Sequence, residues 1–213
     1  MKTEVLCNEA NFSDVLLCLF ESACKKVDTI CLPAGSFKNI DSDFINHHLN
    51  FSAIVDYPLG ISDTQIRIHE IILAANRGIK CIDLVINTYD LESGNTFAIA
   101  KDFKHCYALC TSKGISIRPV IEYRASDDNT IFDVAENLLN KGANELVVGT
   151  GSMVDDITDN IIVSKLIEKR LNINVISCSP ILCQDHYQLF QDSNIAGIRI
   201  KSFKILDNLC INN

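Results

Sequence analysis

A chain of 213 residues with 47% hydrophobic and 22% charged residues suits one globular domain, and the absence of Trp with only 7% aromatics makes its core aliphatic. A net charge of −8 without a long basic run excludes nucleic acid, whose binding rests on Lys and Arg neutralising phosphates. No apolar stretch reaches the roughly 18 residues of a membrane span, and the first residues lack a signal-peptide core, so a cytoplasmic location is expected.

Short apolar runs alternate with amphipathic stretches along the chain. Residues 5–7 are the first apolar run, and residues 11–26 follow as a helix with Val15, Leu16, Cys18, Leu19 and Ala23 on one side. The next strands are 29–32, closed by Pro33, and 52–57, closed by Pro58-Leu59-Gly60. A helix over 62–77 ends at Gly78 and leads to a strand at 81–87. A helix over 97–112 precedes the strand at 115–123, and one over 131–141 ends at Gly142 before the strand at 146–150. Helices over 157–169 and 185–192 then alternate with strands at 175–179 and 195–200.

Strand and helix thus alternate about eight times. Near-continuous apolar strands joined by helices imply a parallel sheet covered on its outer face, and eight such units favour closure. The expected fold is α/β, a (β/α)8 TIM barrel forming a single domain over residues 1–213. No GxGxxG follows the first strand, which argues against a dinucleotide site. The ten cysteines include no CxxC pair and read as free thiols of a reducing compartment.

Four segments carry a family resemblance. Tyr57-Pro58-Leu59-Gly60 is similar to an FPxG turn, with Arg67 and Glu70 where a Lys and a Glu would follow. Residues 78–87 resemble GAxEIDMVIN, and Leu91-Glu92-Ser93-Gly94 matches LxSG. Residues 118–122 resemble KVIIE, and residues 142–151 resemble GADFVKTSTG. In order and spacing these segments resemble the deoxyribose-phosphate aldolase family across most of residues 25–202. The resemblance implies a TIM barrel and reversible aldol cleavage of 2-deoxyribose 5-phosphate to glyceraldehyde 3-phosphate and acetaldehyde. In that reaction a lysine forms a Schiff base, a second lysine lowers the first one's pKa, and an aspartate relays protons. No cofactor or metal is implied.

Carried across by motif, the aspartate is Asp83, the Schiff-base lysine falls on Val147 and the second lysine on Ile176. Valine and isoleucine offer no nucleophile. Two phosphate-binding glycines become Ser179 and Pro180, and proline removes an N–H donor. The family's IDHTLL segment has no clear counterpart near Val5-Leu6-Cys7. The chain therefore reads as a degenerate member, with scaffold positions kept better than chemical ones.

The register that the resemblance implies, extended by the alternation of side chains along a strand, is expected to point Asp83, Arg118, Glu122, Glu145 and Arg199 into the barrel. They could bind a small phosphorylated sugar, or they could be a structural ion-pair network left from an old site. Lys201 has three open readings: a relocated Schiff-base amine, a phosphate ligand together with Thr150, Gly151, Ser152 and Ser202, or a solvated loop lysine. The five histidines, including adjacent His47 and His48, give no metal spacing. A second copy of the chain, as a homodimer, is a further expected partner.

Overall fold

A computed structural model describes residues 1–7, 27–41, 45, 50–153 and 156–201. Eight parallel strands close in sequence order into a barrel: β1 (Lys2–Leu6), β2 (Thr29–Pro33), β3 (Phe51–Val55), β4 (Cys81–Val85), β5 (Ser116–Ile121), β6 (Glu145–Val148), β7 (Asn174–Ser179) and β8 (Gly197–Ile200). The α-helices with bounds among the described residues are α1 (Thr64–Asn76), α2 (Thr88–Glu92), α3 (Thr96–Ser112), α4 (Asp128–Asn140), α5 (Ile157–Leu171) and α6 (Gln184–Ser193), with short 3-10 turns at Ala34–Asn39 and Tyr123–Ala125. The expected TIM barrel is therefore the fold observed. The helix expected over 11–26 and the His47-His48 pair lie outside the described residues.

Sequence chemistry explains the boundaries. Asp63, Asn87, Asn95, Asp127 and Asp156 each cap a helix by accepting N–H bonds from its first turn. The Asp127 cap starts α4 three residues before the apolar pattern, because Asp128-Asn129-Thr130 is polar yet helical. The five-residue α2 has no apolar period of its own. Its Asn87 cap, which accepts from Tyr89 and Asp90, holds it in place.

The barrel wall separates two apolar regions. Outward strand residues such as Val5, Ile82, Leu84, Ile121 and Leu146 join helix residues such as Ile71, Phe103 and Leu138 in the main core. Inward residues form a smaller cluster of Leu6, Cys31, Ile54, Val85, Val120, Val147, Ile176 and Cys178, with Tyr57 packed against it. Two separate apolar surfaces explain why the strands lack a clean polar alternation.

The turn after β3 is the most constrained loop. Gly60 has φ +67°, and a Cβ built there would sit 2.5 Å from the Val85 carbonyl oxygen. Arg67 on α1 spans this region: its guanidinium bonds the Val85 carbonyl and Asp102, and Glu70 accepts from the Asp56 amide at 2.8 Å. Gly60→Ala combines a left-handed backbone with a backbone clash, so it is expected to cost at least about 2 kcal/mol. Urea unfolding of the variant measures that loss; an unchanged midpoint would show that the turn can relax.

Cysteine usage departs from the all-thiol expectation. Cys7 is disulfide-bonded, whereas Cys31, Cys81, Cys106, Cys110, Cys178 and Cys183 carry no disulfide. Sequence spacing does not report which cysteines meet in space. No helix among the described residues is long and apolar enough to cross a membrane.

Candidate functional site

Six inward charges, Lys2, Glu4, Asp83, Arg118, Glu145 and Arg199, form one continuous network running from the N-terminal end of the barrel to its centre. Glu4, Asp83, Arg118 and Arg199 are each the third residue of their strands, and all four are buried. Strand pairing sets Asp83 opposite Arg118 and Glu4 opposite Arg199. Arg118 donates Nε to Asp83 at 2.8 Å and Nη1 to Glu4 at 2.7 Å and Glu145 at 2.8 Å. Arg199 donates Nη2 to Glu4 and to Asp83, both at 2.7 Å. Lys2 completes the set with Nζ 2.9 Å from Glu4.

Three acids therefore meet three bases. Burial alone would push the Glu4 carboxyl up, but Arg199 and Arg118 outweigh it and hold it well below the usual carboxylate range. Burial would likewise favour neutral guanidiniums, and Asp83 and Glu4 reverse that for both arginines. Every oxygen of Glu4 and Asp83 is engaged, so these groups hold each other and have little left for a ligand. Glu4, Cys31 and Asp83 also bring three metal-ligating atoms within 4.8 Å of one another. The two guanidiniums bond the same carboxylates, and a dication would have to displace them.

The C-terminal mouth is separate from this network. Two residues further along the strands, Leu6, Val85, Val120 and Val147 replace charge with an apolar layer, and Ile176 joins it from β7. Val147 and Ile176, at the positions of the two expected lysines, are fully buried there and pair with each other across β6 and β7.

Beyond the layer, Glu122 accepts from the Thr150 amide at 2.9 Å and the Thr150 hydroxyl at 2.6 Å. The Thr150 hydroxyl lies 2.6 Å from that of Ser152, which is exposed. Lys201, one residue past β8, is half-buried and forms no ion pair among the described residues. Its Cγ would be 3.8 Å from a Cβ built on Gly151. Ser179 is buried, and its hydroxyl has no hydrogen-bond partner among the described residues.

The predicted site residues thus fall into two groups. Asp83, Arg118 and Arg199 are brought together with Glu145 below the apolar layer. Glu122, Thr150, Gly151, Ser152 and Lys201 lie above it, and Ser202 lies outside the described residues. Sequence reasoning missed Glu4 and Lys2. The alternation of Lys2, Glu4 and Leu6 on one strand face carried the signal, but charged residues at a chain start read as solvated.

Fold and site define a closed (β/α)8 barrel with a charge-filled interior and an apolar floor beneath its C-terminal mouth. In both sequence and fold, the chain resembles the deoxyribose-phosphate aldolase family. It is 26% identical over 143 residues to the deoxyribose-phosphate aldolase of Desulfitobacterium hafniense, covering 67% of this chain and 66% of the relative. The Mycoplasmopsis synoviae aldolase is 26% identical over 166 residues, covering 77% of this chain and 74% of that one. The match thus spans just under two thirds of the first relative's length. A tetrameric deoxyribose phosphate aldolase from Aeropyrum pernix superposes with TM-score 0.82 at 18% identity, over 97% of this chain and 87% of the other. The barrel of 3-hexulose-6-phosphate synthase also superposes, with TM-score 0.68 at 11% identity over 94% and 90%, so fold alone does not select a reaction. No family model matches the chain.

Proposed function

We propose that this chain is an aldolase-like barrel that has given up the family's Schiff-base step and holds a small phosphorylated sugar at its C-terminal mouth. The observation that carries this reading is the complete burial of Val147 and Ile176 in an apolar layer. An amine must stand there to attack a carbonyl, and neither side chain can supply one. Asp83, which the resemblance names as the proton relay, is bonded to Arg118 and Arg199 on the far side of the layer from the mouth. Lys201 would carry the phosphate as a point charge, and Ser152 would meet the sugar through its hydroxyl.

The test is to mix the protein with 2-deoxyribose 5-phosphate and sodium borohydride and to read the intact mass. No added sugar mass is expected, beside a family aldolase that traps normally. In parallel, 2-deoxyribose 5-phosphate should raise the melting temperature of the wild type and not of Lys201→Ala, since only a ligand of the folded state stabilises it. No thermal shift at saturating sugar would overturn the binding role.

A second reading has one specific observation in its favour. Lys201 continues the inward alternation of Gly197 and Arg199 and packs beside Gly151 over the apolar layer. A relocated amine there would trap the sugar covalently, and Lys201→Ala would abolish the adduct.

A further inference from the structure

The first residues of six neighbouring strands, Lys2, Thr29, Phe51, Cys81, Ser116 and Glu145, line a cavity of about 1150 Å3 at the N-terminal end of the barrel. This volume is somewhat larger than the roughly 300–1,000 Å3 of ordinary small-molecule sites, so a small ligand would leave room for water. The cavity is at the opposite end from the mouth described above, and the apolar layer separates the two. It is therefore independent of the proposed sugar site.

The floor of the cavity presents one donor and one acceptor side by side. Lys2 gives Glu4 a bond of 2.9 Å and reaches Glu145 at 3.4 Å, but an ammonium has three hydrogens. Glu145 receives both Arg118 and Lys2 on Oε2, and its Oε1 has no partner among the described residues. Both side chains are partly exposed, at 34% and 23%, whereas the rest of the network is closed. The rim repeats the pairing of signs with Lys80 and Asp28, and Phe51, Ile79, Ile115 and Ile117 supply apolar wall. An anion alone would set its charge against Glu145, and a cation alone would set its charge against Lys2. A molecule bearing both signs leaves neither unmatched.

We propose that this cavity binds a small zwitterion with an apolar body, for which an aliphatic α-amino acid is the simplest case. The ammonium would lie on Glu145 Oε1, the carboxylate on Lys2 and the side chain against the apolar wall.

Leucine is the probe. Cys81 lines the cavity, is half-buried and carries no disulfide, so its alkylation reports occupancy; Cys183, after β7 at the other end, is the internal control. At leucine ten times its Kd, Cys81 should be alkylated about tenfold more slowly by simple mass action, with Cys183 unchanged. Asn144→Phe fills the cavity from an exposed rim position without touching the ion network, and should remove both the protection and the calorimetric binding signal. Lys201→Ala should leave both intact. The analogues 4-methylpentanoate and 3-methylbutylamine each lack one charge and should protect poorly. The proposal is overturned if leucine gives neither heat nor protection, if either analogue matches leucine, or if Asn144→Phe still binds.

Discussion

Replacing Arg199 by methionine is expected to cost roughly 3–5 kcal/mol, because it leaves buried carboxylates without their cation. Arg199 is 2% exposed, and its Nη2 bridges Glu4 and Asp83 at the centre of the barrel. Methionine fills much of the volume, so the loss measures charge rather than packing. For a domain of this size it should lower the melting temperature by on the order of 10 °C. Replacing Glu4, Asp83, Arg118 and Arg199 together by Leu or Met should restore much of that stability, since an apolar core avoids the desolvation cost altogether. A single variant that melts within a degree of wild type would show that water already reaches these groups.

The same network sets the acid response. The Glu4 carboxyl is held below its ordinary value in the folded protein, so the unfolded chain takes up the proton first. Its contribution is present in full above the unfolded glutamate value of about 4.3 and is lost progressively as pH falls from there toward the folded value. Glu4→Gln removes this source of slope. Urea denaturation at a series of acidic pH values should therefore show a shallower decline for the variant than for wild type, from a lower starting stability. Parallel declines would place the acid sensitivity elsewhere.

How far the sequence is legible depends on which quantity is asked of it. Faces are legible: alternation sets which residues share a face, the family register sets which face is inward, and Asp83, Val85, Arg118, Val120, Glu145 and Val147 all lie inside the barrel. Height along the barrel axis is not, because it depends on strand tilt and stagger as well as on local pattern. The sequence offers Asp83 and Lys201 alike as candidate site residues, whereas Leu6, Val85 and Val147 stand between the network and the mouth. Partners across the barrel are harder still. Glu4 meets Arg199 from 195 residues away and Arg118 from 114, and nothing local to β1 announces either contact. The resemblance to an aldolase names positions of chemistry, and the residues at those positions decide whether the chemistry can occur.

Val147→Lys tests whether the family site survives in space after it has gone from the sequence. Val147 is fully buried, paired with Val120 on one side and Ile176 on the other, and enclosed with Leu6 and Val85. A lysine there must either bury its amine against that layer or force the layer open. Burying an unpaired ammonium depresses its pKa, so the folded variant would hold a neutral amine and lose stability as pH falls below the unfolded lysine value of about 10.4. The expected result is a variant destabilised at neutral pH by roughly 3 kcal/mol or more, recovering toward alkaline pH, with no borohydride adduct from 2-deoxyribose 5-phosphate. Chemical denaturation at neutral and alkaline pH gives the first quantity and intact mass the second. A variant as stable as wild type that traps the sugar would mean that the stem can reach the mouth and that one substitution restores the amine. The apolar layer would then be a vacated active site rather than a sealed floor, and the loss of Schiff-base chemistry would rest on side-chain identity alone.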